Sequence, residues 1–203
     1  MTSLRLRTFT AIITLIFIGS ILIGAALPRD LRSTIISFVR EHVKEYIGEN
    51  RTLSELYLLI LANNLRSLGI AIAIPFIGQV VVPLVNGLIM GILFSIPITE
   101  INPQISNACR DLTPIQDLTL KLVSTLPHGA LELPGILLGC AVAFYFWTLF
   151  VLWLIKRSID VKRLVIRFLT LILISIILLI VAALVEIVIT PLIVLITQSY
   201  VCG

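Results

Sequence analysis

Charge is scarce in this sequence. Only 13% of its 203 residues are Asp, Glu, Lys or Arg, while 59% are hydrophobic; soluble domains carry about 25% charged residues. No soluble fold of this length could hide so much apolar surface, so a water-soluble enzyme or binding domain is excluded. Histidine is scarcer still, with only His42 and His128. There is no HExxH pattern and no second histidine in an apolar run, so the usual marks of a zinc hydrolase are missing. No basic patch is interleaved with aromatics, which speaks against nucleic acid as a partner. No internal repeat stands out, and no stretch is left over for a separate soluble domain. The chain reads as one integral membrane domain, 1–203, with lipid as its main solvent and no cofactor or metal expected.

Long apolar runs are what the sequence has in place of charge. Thr8 to Leu27 has no charged residue in 20 positions, enough to cross a hydrocarbon core of about 30 Å at about 1.5 Å per residue. Arg5 and Arg7 precede it, so a signal peptide competes with an anchor; the length favours an uncleaved anchor. Residues 31–48 follow as an amphipathic helix. Leu31, Ile35, Val39, Val43 and Ile47 recur every four residues, and Arg32, Arg40, Glu41 and Lys44 occupy the other side. His42 belongs to that solvated face. Residues 53–98 are too long for one crossing, and PFIG at 75–78 supplies a break. Spans are therefore expected near 53–75 and 79–97. A polar loop covers 98–117. The short piece LTLKLVSTL then leads to a fourth span near 129–155, a basic loop KRSIDVKR, and a fifth span near 164–190. Pro191 starts an apolar tail. The predicted fold class is all-α: a polytopic bundle of about five spans.

Five spans put the termini on opposite faces. Lys and Arg counts on the two faces are nearly equal, but the compact basic loop before the fifth span tips the balance. The expectation is a multi-pass cell-membrane protein with its N-terminus in the cytoplasm and its C-terminus outside. Cys109 and Cys202 fall on the same predicted face, where they are either a disulfide or two unpaired thiols. Cys140 lies in the fourth span as a core residue. Asn50-Arg51-Thr52 matches a glycosylation sequon on the same face as Cys109.

Ionisable groups inside a span cost a few kcal/mol, roughly, so they face the bundle interior and pair. The candidate polar cluster is Asn63, Asn64, Arg66, Asn86, His128, Glu132 and Glu186. His128 and Glu132 are four residues apart and share a helix face. The stretch His128 to Pro134 is predicted as an irregular start to the fourth span, with the asparagine amides satisfying its backbone. Three uses remain open. Arg66 neutralises Glu132 or Glu186 in a purely structural cluster; or the acids and His128 bind or relay a proton or cation; or the group is a metal or hydrolase site, with Ser124 and His128 as nucleophile and base. Small residues at four-residue spacing mark helix contacts: Gly87 and Gly91; Gly135, Gly139 and Ala143; Ala182, Glu186 and Thr190.

The blocks NNLR (63–66), NG with Gly91 (86–91), PHGALELP (127–134) and AALVEIVITP (182–191), in this order, resemble the stage II sporulation protein M family. The resemblance implies an all-helical membrane domain of about five spans. It also implies a role like that of the sporulation member, a membrane partner of peptidoglycan-cutting proteins in a wall-remodelling complex. These positions, with Thr190 and Pro191, are the family's signature residues. The expected function is a non-enzymatic scaffold or assembly component of a membrane or envelope complex. Its partners would be lipid and either protein partners or further copies of the chain. A proton- or cation-coupled transporter or channel subunit using Glu132, Glu186 and His128 is the alternative.

Overall fold

In the computed structural model the described residues are 6–37, 52–101, 105, 109, 112–156 and 160–202. Among them there is no strand. The helices are α1 (Leu6–Ala26), α2 (Leu53–Ala73), α3 (Gly78–Ser95), α4 (Ile98–Ile101), α5 (Pro114–Lys156) and α6 (Val161–Val201). All but α4 are long and apolar enough to cross a membrane. Residues 29–37 are also helical, the front part of the predicted amphipathic helix. Its remainder, His42 included, lies outside the described residues, as do Asn50 and Arg51 of the sequon.

Local chemistry sets several of the helix ends. Thr52 caps α2 with a full capping box: its hydroxyl accepts from Glu55 N at 3.3 Å, and Glu55 Oε2 accepts from Thr52 N at 2.8 Å. Asp160 caps α6 by accepting from Arg163 N. The predicted break at 75–78 is a tight reversal, with Phe76 in the left-handed region at φ 64°. Gly78 follows it because a Cβ there would run into the Ile70 carbonyl.

The bundle is organised around two close pairs. Helices α1 and α3 run parallel and nearly touch, since a Cβ on Gly24, Gly87 or Gly91 would overlap the facing helix at Leu88, Ser20 and Ile21 respectively. Helices α5 and α6 form a long antiparallel hairpin, the most extensive packing in the molecule. Gly135 of α5 lies against Ser175, Leu178 and Leu179 of α6. Helix α2 packs along α5, with Leu68 against Gly139 and Trp147 Nε1 donating to the Ile72 carbonyl at 2.9 Å. Phe9, Ile13, Leu68, Val82, Cys140 and Leu179 join these helices in one core. Outward-facing side chains such as Leu15, Leu22, Leu169 and Leu195 stay exposed, as expected where the solvent is lipid.

Two expectations are corrected by the long hairpin. Helix α5 begins at Pro114, not near residue 129, and continues through Pro127 and Pro134 as regular helix. The predicted irregular start at 128–134 is absent, and LTLKLVSTL is an ordinary part of the helix. An interior proline removes one hydrogen bond at a cost of about 3 kcal/mol. Here the neighbouring α6 packs on α5 immediately after each proline, with Thr190 at His128 and Ser175 at Gly135. Likewise α6 does not stop at Thr190 but runs through Pro191 to Val201. At 43 and 41 residues, each helix is about 60–65 Å long, twice the hydrocarbon thickness. The hairpin therefore projects beyond the other helices at its ends.

One projecting end is covered by α4 and by Ile105 and Cys109. Ile98 N donates to Asp117 Oδ1 at 2.6 Å, and Ile98, Ile105, Cys109 and Leu120 form a second apolar cluster with Val201 and Cys202. Cys109 and Cys202 are joined by a disulfide, with Cα atoms 5.1 Å apart. At the other end lie Trp147, Phe150 and Trp153, with ring centroids 5.6–5.8 Å apart in successive pairs, and Arg167 over the Tyr145 ring. That is the aromatic and basic composition of a membrane–water boundary.

Candidate intramembrane polar site

His128 and Glu132 are one turn apart on α5. Glu186 and Thr190 are one turn apart on α6. Because the hairpin is antiparallel, the two pairs face each other. One ligand-type atom each from His128, Glu132 and Glu186 lies within 4.8 Å of the others. Lys121, where α3 ends alongside α5, marks the nearer membrane boundary. His128 is seven residues deeper and Glu132 eleven, about 10 and 16 Å along the helix. The cluster thus lies inside the hydrocarbon level, toward the disulfide end.

Hydrogen bonding orients the imidazole. Thr190 Oγ1 donates to the Val185 carbonyl at 3.3 Å. The same hydroxyl oxygen lies 3.3 Å from His128 Nδ1; its single hydrogen serves one of the two contacts, so with that hydrogen on Val185 the imidazole donates from Nδ1. The ring's Nε2 is then the acceptor. Two cavities flank the group. One of about 200 Å³ is lined by His128, Glu132, Asn86, Phe17 and Met90. The other, about 420 Å³, is lined by Thr190, Thr125, Ser124, Lys121 and Gln198 and opens toward the disulfide end.

The predicted members separate into two groups. Asn86 lines the smaller cavity with His128 and Glu132, its amide nitrogen donating to the Val82 carbonyl at 3.0 Å. Asn64 is buried, its Nδ2 lacking a hydrogen-bond partner. The register of α2 on α5 sets it level with about residue 135, one turn from Glu132. Asn63 and Arg66 are exposed on the outer side of α2. The expected neutralisation of Glu132 or Glu186 by Arg66 does not occur. Helix α2 buries the face carrying Asn64, Leu68 and Ala71, and Arg66 is about 200° around the helix from Asn64. Among the described residues neither glutamate has a basic side chain at ion-pair distance.

Gly87, Gly91, Gly135 and Gly139 lie at helix contacts; Pro191 is exposed on α6 and borders the larger cavity. Thr190, read from sequence only as a packing residue, is buried and holds the histidine. Gly24 and the Asp117–Lys121 pair escaped the sequence reading. Lys121 Nζ lies 2.6 Å from Asp117 Oδ2 and donates to the Phe94 carbonyl at 3.2 Å. The signal was there, an acid four residues before a lysine in an apolar run.

Comparison with known proteins gives one result. No curated protein and no solved structure matches the chain. A family model, however, matches residues 13–191, a stretch that begins inside α1, ends inside α6 and takes in both pairs of the polar site. The five-helix membrane bundle therefore belongs to the stage II sporulation protein M family.

Proposed function

We propose that this protein is a non-enzymatic scaffold or assembly component of a membrane or envelope complex, and that a second membrane protein docks on the outer face of α2. The observation that carries the reading is Arg66. Its register places it level with about residue 138 of α5, some 14 Å along the bundle from the level of Trp147. It is exposed there, beside exposed Asn63, and among the described residues it has no hydrogen-bond or ion-pair partner. A guanidinium at that depth in lipid is costly and calls for a polar or acidic group. A partner helix carrying Asp, Glu, Asn or Gln supplies one. Family membership supports the same reading.

A photo-crosslinking residue at position 63 in native membranes tests this. A discrete adduct with a membrane protein is expected, and Arg66→Leu should abolish it while leaving the purified chain folded. Crosslinks to lipid alone would overturn the reading.

The same proposal orients the chain with the disulfide end outside and the N-terminus in the cytoplasm. The Cys109–Cys202 pair supports that, because disulfides persist in oxidising compartments. A transport reading is favoured by a different observation: among the described residues the two acids have no basic partner, and Glu132 lines a cavity of about 200 Å³. Flux through proteoliposomes, abolished by Glu132→Gln or Glu186→Gln, would establish transport in place of the scaffold role.

A further inference from the structure

We propose that His128, Glu132 and Glu186 form a site for one divalent transition-metal cation of the zinc type, clamped between α5 and α6. The inference stands apart from the docking face on α2 and departs from the sequence expectation of no metal.

Three independent features meet at this point. The first is donor chemistry. One imidazole and two carboxylates make a mixed nitrogen–oxygen set of the kind that zinc, iron and other first-row divalent ions take. Their ligand atoms lie within 4.8 Å of one another. Ligands about 2.0–2.2 Å from a common ion lie some 3–4 Å apart, so modest side-chain rotation closes the set.

The second feature is charge. With both carboxylates ionised, as metal ligation requires, the group carries two negative charges beside a neutral imidazole, in a segment where lipid and apolar side chains are the medium. The expected counter-ion, Arg66, points away, and Lys121 is already paired with Asp117. A divalent cation brings the group to neutrality in one step, whereas a monovalent ion leaves one negative charge over.

The third feature is the support around the ligands. Metal-binding histidines hold their second ring nitrogen in a hydrogen bond that fixes tautomer and orientation. Thr190 Oγ1 lies at hydrogen-bond distance from Nδ1 and accepts from it when its own hydrogen is on Val185. The smaller cavity, beside His128, Glu132 and Asn86, has room for the water ligand that would complete four-coordination. The larger one, bordered by Thr190 and Lys121 and not by the three ligands, lies between the site and the disulfide end. Glu186 is the residue that makes the set. From sequence, His128 and Glu132 had no third ligand, and the antiparallel hairpin supplies it from 54 residues away.

The test uses untagged, chelator-treated full-length protein in detergent. Zinc binding is measured by calorimetry and by metal content after desalting. Wild type is expected to hold one zinc per chain and to gain thermal stability with it. Glu132→Gln and Glu186→Gln should each weaken binding at least tenfold, and Thr190→Val should do so about tenfold through the lost orientation of His128. If a glutamine variant fails to fold, cobalt-loaded wild type decides. Its spectrum should show nitrogen–oxygen ligation without a thiolate band from Cys140. Substoichiometric zinc on wild type, unchanged affinity in the variants, or a thiolate band would each overturn the assignment. Stoichiometric binding without flux would leave this site standing and remove the transport reading.

Discussion

Thr190 connects the backbone of α6 to the ionisable group of α5. Removing its hydroxyl takes away the hydrogen-bond partner of His128 Nδ1. One lost hydrogen bond is worth about 0.5–1.5 kcal/mol net, and an unsatisfied buried donor costs about 1–3. Thr190→Val should therefore lower the melting temperature in detergent, and Thr190→Ser should restore most of it. Equal melting temperatures for Val and wild type would mean the 3.3 Å contact contributes nothing. At this scale the sequence was half legible. The four-residue spacings of His128–Glu132 and Glu186–Thr190 were visible, since each lies within one helix. That the pairs face each other was not, because it depends on the register between two helices. Arg66 was misread for a related reason. Composition shows that a charge is inside a span, but the buried face of α2 is set by what packs on it.

Helices α1 and α3 approach through glycine, and substitution there has a specific cost. Gly87→Leu and Gly91→Leu place a side chain on Phe17, Ser20 and Ile21 backbone and side-chain atoms. Overpacking costs typically about 1–3 kcal/mol, so both variants should melt earlier in detergent or lose the folded bundle. Gly19→Leu is the control, because nothing lies within 4 Å of its would-be Cβ, and it should melt within a degree or two of wild type, roughly. If all three behave alike, the α1–α3 contact is not what the glycines serve. Gly139→Leu tests the second interface, where Leu68 would have to move. The Gly87/Gly91 spacing was legible as a small-residue stripe. Its partner Gly24 was not, because one glycine in an apolar run carries no period. Helix ends at Pro127, Pro134 and Pro191 were misplaced because proline's local cost was weighed without the neighbour that offsets it.

The whole molecule is closed at one end by a covalent link between the 98–117 segment and the end of α6, 93 residues apart in sequence. Disulfides typically stabilise by about 2–4 kcal/mol, and a loop of that length lies at the upper end or somewhat above. Cys109→Ser is expected to lower the unfolding temperature of non-reduced protein and to leave reduced protein unchanged. The same bridge reports sidedness. An impermeant thiol reagent added to intact cells should label Cys109 and Cys202 only after reduction. Labelling confined to lysed cells would place the disulfide end in the cytoplasm and invert the proposed threading.

Sequence by itself determined the medium and the class. Five long runs with almost no charge cannot be satisfied by water, and a backbone in lipid has helix as its local solution. It also determined which residues would be expensive there. Only the tertiary structure decided which of them meet. Depth in the membrane follows from position along a run, but contact between runs follows from packing register, which small residues, prolines and a distant disulfide set together. That is why Glu186 and Thr190 stand opposite His128 and Glu132 inside the bundle, while Arg66, equally deep, faces out.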